Sequence, residues 1–332
     1  MKLCTFEIDT PIGAVRRIGM LTAKGHILDL NAAYESALAG KVGLARAQAL
    51  AEAILPPDML GFIANGPIAR EALEQARSVL AGKIEETTAR GPRGGRMVWD
   101  EKDIRLIAPI PRPNSMRDCL AFEEHLKNAL KGQPIAPVWY EVPIYYKGNR
   151  NSIQGTGSEV VWPSYTEQLD YELEFAAIIG RQGVNAPPEK AWDLIFGYTI
   201  FNDVSARDIQ FKEMAAHLGP AKGKDMDGGN LMGPYLVTAD EWDPRDDHAM
   251  TARVNGEKWG GGTTKAMHHD FGKIVSYISN DETLYPGDII GSGTVGTGCG
   301  LEIGRYPKPG DLIELEIEGL GKLSCRYVKP RR

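Results

Sequence analysis

The segment "LDYELEFAAIIG", residues 169–180, decides how the rest of this chain is read. In an extended strand, side chains alternate between faces, so Asp170, Glu172 and Glu174 share one face. Tyr171, Leu173 and Phe175 take the other, and the run continues into "AAIIG", apolar on both faces, as a strand entering a core would be. Either these acids form the solvated face of an edge strand, or they gather around a cation.

A second apolar segment, "DLIFGYTIFNDVSARDIQ" (193–210), ends its strand pattern at Asp203. A strand end is where a core sheet presents ligands, although Asp203 could equally cap the turn that follows. Asp118 opens the helical pattern "CLAFEEHLKNALKG" (119–132), again as ligand or cap. Carboxylates converging within ~4 to 6 Å cannot all remain ionised without a compensating cation. Oxygen ligands without cysteine or paired histidine select Mg²⁺, Ca²⁺ or Mn²⁺ over zinc. On a continuous helix His125 would lie on the face of Asp118, ~10 Å along the axis, leaving room for a bound small molecule. A structural histidine is the alternative. His268 and His269 of "MHHDFG" diverge by about 100° on a helix start and read as packing or capping. "GGGTTK" (260–265) lacks the spacing of a phosphate loop.

Composition bounds the possibilities. The chain has 332 residues, 42% hydrophobic and 25% charged, with net charge -6. These are globular values, and the acidic balance argues against nucleic acid as a partner. No apolar run reaches the ~18 residues of a membrane span. The start, "MKLCTFEIDTPIG", has no apolar signal core, so a cytoplasmic protein is expected. Cys4, Cys119, Cys299 and Cys325 are scattered and read as reduced thiols.

The expected fold class is α+β, a small N-terminal α/β domain (1–100) followed by a larger mixed β-sandwich or β-roll domain (101–332). Strand-like runs at 1–8, 14–22 and 26–31 precede Ala-rich helical patterns at 32–39, 43–54 and 68–81. A Gly-rich charged stretch (87–103) reads as a linker or long hairpin. Strands and turns then dominate, interrupted by helical patterns at 119–132 and 268–280.

Taken in order, Glu172-x-Glu174, "NDVSARDIQ", "GPAKGKD" (219–225) and "SGTVGTGCGLE" (292–302) resemble the fumarylacetoacetate hydrolase family over residues 105–328. The resemblance implies a divalent cation, Mg²⁺ first and Mn²⁺ or Ca²⁺ otherwise, held by Asp118, Glu172, Glu174 and Asp203, with Asp170 just outside. It implies His125 as base paired with Glu302, and Arg207, Gln210 and Lys224 facing the reacting carbonyl. For Glu302 the alternative is an exposed strand acid, and for Arg207 a structural salt bridge. Tyr146 and Thr294 match positions that contact substrate. Met214 replaces a substrate-contacting tyrosine of the animal-type enzyme, and residues 127–137 lack its carboxylate-binding arginine. The likeness is therefore closer to bacterial members acting on 2-oxo or 2,4-dioxo acids of aromatic catabolism. The expected activity is metal-dependent hydrolysis of a C–C bond in a small anionic 2,4-dioxo acid. An isomerase or decarboxylase of related acids, and a non-catalytic metal- or metabolite-binding protein, are the alternatives. A homodimer is expected, since family members usually pair and the β-rich domain must cover its edges.

Overall fold

Strands Lys2–Thr10 and Gly13–Leu21 fold back on each other antiparallel, and Ile27–Asp29 and Val98–Trp99 extend that sheet. Asp29 ends its strand and caps the helix Leu30–Val42, its carboxylate accepting from the Ala32 N–H. Helices Leu44–Ile54, Met59–Ala64 and Gly66–Val79 follow. The helix Met59–Ala64 is absent from the sequence reading; its start is marked by Asp58, which accepts from the Gly61 N–H. This compact unit runs from Met1 to Ile110, past the boundary expected at residue 100. The reason is that Arg105–Ile107 pairs antiparallel with Lys2–Thr10, and the Thr5 hydroxyl donates to the Pro109 carbonyl at 2.5 Å. The stretch after residue 80 is a chain of turns, with one isolated bridge between Arg90 and Arg96. The computed structural model describes residues 1–330.

The second unit, Pro111–Arg332, is mixed and β-rich, giving the α+β class overall. One sheet runs, neighbour by neighbour, through Asn230–Thr238, Ile195–Asp203, Leu173–Ile179, Ile289–Gly291, Met116–Cys119 and Tyr145–Lys147. A five-stranded sheet orders Glu257–Thr263, Ala249–Val254, Leu312–Ile317, Gly321–Val328 and Ser158–Val161. The two sheets meet where Ile195–Asp203 and Asn230–Thr238 pack on Leu312–Ile317 and Gly321–Val328. Phe175, Tyr198, Trp242 and Phe271 form an aromatic cluster in this core.

Two local expectations change. Asp118 lies on the strand Met116–Cys119, and the helix begins only at Glu123, ending at Ala129. Pairing with Ile289–Gly291 on one side and Tyr145–Lys147 on the other overrides the helical periodicity of the segment. The shared-face argument for Asp118 and His125 therefore fails, although both reach the same cavity. His268 and His269 precede the helix Phe271–Ile278, which Asp270 caps. They pack on Trp139, whose carbonyl lies 2.6 Å from His269 Nε2. Among the described residues, no helix is long and apolar enough to cross a membrane.

Candidate active site

The acid strand is interrupted, and the interruption organises the site. Leu169–Asp170 pairs with Ser205–Ala206, while Leu173–Ile179 pairs with Ile195–Asp203, so Asp203 and Glu174 end on neighbouring strands. Nothing in this segment is solvated: Asp170, Glu174 and Asp203 are 0% exposed, and Glu172 is 4% exposed. That excludes the edge-strand reading.

Asp118 reaches the same place from the parallel pairing of Met116–Cys119 with Ile289–Gly291. A Cβ at position 291 would sit 2.2 Å from Asp118 Oδ1, so glycine is required there. Gly293 turns at φ +77 and donates its N–H to the same oxygen at 3.1 Å. Asp118, Glu174 and Asp203 each bring a carboxylate oxygen within 4.8 Å of the other two.

Of these three acids only Asp203 is ion-paired among the described residues, with Lys224. Burial, then the Asp203 carboxylate, pushes the Asp118 carboxyl up to about 8. Burial, then Asp118, holds Glu174 well above the usual carboxylate range. Burial also raises Asp203, against the pull of Lys224. Among the described residues, Glu174 Oε2 and Asp203 Oδ1 find no hydrogen-bond partner, and both are buried. Orphaned anionic oxygens in an all-oxygen donor set fit a hard divalent cation. Asp118, Glu174 and Asp203 could hold it.

Glu172 stands apart from that trio. Lys224 donates to Glu172 Oε2 and Asp203 Oδ2, both at 2.5 Å, and Arg207 Nη1 pairs with Glu172 Oε1 at 2.7 Å. Burial alone would raise Glu172, but Lys224 and Arg207 bring it down to about 2. Arg207 also donates Nε to Asp170 Oδ2 at 2.8 Å and Nη1 to Gln210 Oε1 at 3.1 Å. Both cations are thus tied to carboxylates, and Arg207 keeps the salt bridges that were its structural alternative. The Gln210 amide NH₂ makes no protein hydrogen bond among the described residues. Tyr146 donates to Asp203 Oδ2 at 2.6 Å, and Thr294 donates to Glu174 Oε1 at 3.2 Å. Both line the cavity while bracing its acids.

His125, on the helix Glu123–Ala129, sets Nδ1 2.8 Å from Glu302 Oε1. Glu302 is not an exposed strand acid: it lies on the short helix Gly300–Ile303 with a buried side chain. It accepts from Asn128 Nδ2 at 2.8 Å, from the Thr297 N–H at 2.7 Å and from Cys299 Sγ at 3.4 Å. A carboxylate so well supplied with donors holds His125 with Nδ1 protonated and Nε2 free to accept. Cys299 joins His125 and Glu302 in a second potential ligand group. The donors already on Glu302, and burial that holds the thiol well above its usual range, instead make it a support.

The sequence reading missed the part played by three contributors, although it placed Asp170 just outside the cation site. Asn128 follows His125 by three residues, a spacing that shares a helix face. Cys299 stands three residues before Glu302. Asp170 accepts from the N–H groups of Tyr171, Gly300 and Leu301 at 2.9, 2.8 and 2.9 Å besides Arg207. It thus ties the start of the Glu302 helix to Arg207.

A cavity of ≈ 290 Å³ connects these groups: Asp118, Glu172, Glu174, His125, Arg207, Gln210 and Lys224 all line it.

Comparison with known proteins covers the same region. The sequence profile described as Fumarylacetoacetate (FAA) hydrolase C-terminal matches residues 115–328. An uncharacterised protein of Staphylococcus haemolyticus (strain JCSC1435) is 32% identical over 231 residues, 68% of this chain and 73% of that protein. The solved fumarylacetoacetate hydrolase of psychrophilic Exiguobacterium antarcticum is 29% identical with a TM-score of 0.68, covering 99% of this chain and all of that one. In fold the chain is also similar to 2-hydroxyhepta-2,4-diene-1,7-dioate isomerase from Mycobacterium marinum, at 24% identity and a TM-score of 0.64 over the full length of both.

Proposed function

This chain belongs to the fumarylacetoacetate hydrolase family, and we propose that it hydrolyses a C–C bond beside a carbonyl in a 2,4-dioxo acid. One observation carries the reading: His125, backed by Glu302, lines one cavity with Asp118 and Glu174, members of a carboxylate cluster in which Glu174 Oε2 and Asp203 Oδ1 lack partners among the described residues. The cation would be Mg²⁺ or Mn²⁺, held by Asp118, Glu174 and Asp203, while Glu172, expected as a fourth ligand, has both oxygens paired with Lys224 and Arg207. When bound, it supplies a Lewis acid for the dioxygen edge of the substrate.

The chain's own residues do the rest. His125 Nε2 takes a proton from water while Glu302 holds Nδ1–H and steadies the imidazolium. The hydroxide oxygen bonds to the carbonyl carbon of the acyl group, and the oxygen that turns anionic accepts from the Gln210 amide. The C–C bond then breaks toward the 2-oxo acid fragment. That fragment leaves as its enolate and takes the proton back from His125. The products are a carboxylic acid and a 2-oxo acid, and the proton count closes. Arg207 and Lys224 hold Glu172 and Asp203 in place and keep Glu172 ionised.

Isomerisation or decarboxylation in the same cavity needs no hydroxide. Turnover of 2,4-dioxo acids by Mg²⁺- or Mn²⁺-loaded protein, followed with solvent deuterium exchange, separates these activities. Cleavage yielding two acids supports hydrolysis, while C–H exchange or double-bond shift without cleavage supports isomerisation. We place the protein in the cytoplasm, in keeping with four buried free thiols, and expect the second unit to pair two chains. Light scattering at micromolar concentration would show a dimer, and a lone monomer would end that expectation.

A further inference from the structure

The side chains lining the cavity fall into two chemically different sets. One carries the ionisable groups described above. The other is built from Leu126, Leu130, Ile144, Phe211, Met214 and Pro220. Three of these, Ile144 (42%), Phe211 (48%) and Met214 (51%), leave large apolar side chains in water. Apolar area at the rim of a cavity is where a ligand gains by covering it.

The charge inventory points the same way. Apart from His125, the cations lining the cavity among the described residues are Arg207 and Lys224. Arg207 is paired with Asp170 and Glu172, and Lys224 with Glu172 and Asp203. A second carboxylate laid along these apolar side chains would lose its water and meet no cation among the described residues in exchange.

Building on the proposed hydrolysis, we propose that the substrate is a 2,4-dioxo monocarboxylate whose acyl group ends in an alkyl chain or an aromatic ring. The oxo-acid head occupies the polar end, and the tail covers Ile144, Phe211 and Met214. Each methylene that reaches these side chains strengthens binding roughly fourfold. A terminal carboxylate at the same length weakens it by roughly 10²-fold.

The test uses ligands matched in length, 2-oxooctanoate and 2-oxosuberate, titrated calorimetrically into the Mn²⁺-loaded protein. Tighter binding of the monoacid by tenfold or more is expected, and equal or tighter binding of the diacid overturns the inference. The variants Met214→Arg and Ile144→Lys place a cation at the mouth, on exposed positions that tolerate it. Either should erase or reverse the preference, and an unchanged preference in both overturns the assignment of the tail to these side chains. Turnover of the matching 2,4-dioxo acids distinguishes the two layers of the argument. Preferred binding of the monoacid without cleavage of either dioxo acid defeats hydrolysis and leaves the tail chemistry standing. Cleavage of both with equal efficiency does the reverse. Failure of both 2-oxo acids to bind defeats both.

Discussion

Asp170 and Glu174 lie four residues apart, and both are wholly buried, yet they are treated in opposite ways. Asp170 receives three backbone N–H groups and the Arg207 guanidinium. Glu174 receives the Thr294 hydroxyl on one oxygen and nothing on the other. Burial alone therefore says little about what a carboxylate does. An acid whose lone pairs are filled by the protein is a positioning group, and one left with an orphan oxygen awaits a cation. Glu172 falls between them, its carboxylate spanning Lys224 and Arg207.

The strongest way to break this distinction is to remove an orphaned acid. Glu174→Gln should abolish measurable Mg²⁺ and Mn²⁺ binding and, with it, turnover. It should also stabilise the metal-free protein in urea, because a buried and uncompensated carboxyl has gone. Retained turnover at wild-type rates would refute the metal site.

Next in size is the base. His125→Ala removes no member of the acid trio, so metal affinity should persist while turnover falls by roughly 10² to 10⁴-fold. Glu302→Gln should fall less, since the imidazole stays but loses its orienting charge. Near-wild-type hydrolysis by His125→Ala would sink the assignment of the base.

Asp170→Ala should behave as the mirror image of Glu174→Gln. It strands Arg207 as a buried, half-compensated cation, and denaturant unfolding should show a loss of about 3 to 5 kcal/mol. If stability holds, the buried pair is not what anchors the Glu302 helix.

The last test is in pH. Asp118, raised to about 8 by burial and Asp203, keeps its proton in the metal-free protein through neutral pH. Its folded value lies above the ordinary ~3.9, so metal-free stability falls as pH rises from about 4 to 8. A divalent cation must expel that proton, and affinity should climb up to tenfold per pH unit below about 8. Flat affinity between pH 6 and 8 would contradict the raised carboxyl.

How much of this was legible in the sequence depended on the range of each interaction. The period-two acids in residues 170–174 and the strand end at Asp203 are local signals, and they pointed to the centre of the site. Asp118 was placed on a helix because periodicity in residues 119–132 outweighs anything its own segment says about pairing with Ile289–Gly291. The first unit runs on past residue 100 for the same reason, since Arg105–Ile107 is claimed by a strand about a hundred residues earlier. The counter-ions of Glu172 come from positions 207 and 224, and no spacing in one sequence reveals that they take its oxygens.

The contrast between filled and orphaned acids rests most directly on calorimetric titration of chelator-stripped protein with Mn²⁺, in wild type, Glu174→Gln and Asp170→Asn. The account predicts one site per chain in wild type, none in Glu174→Gln, and an affinity close to wild type in Asp170→Asn. No binding by wild type, or binding lost in Asp170→Asn and kept in Glu174→Gln, would contradict it.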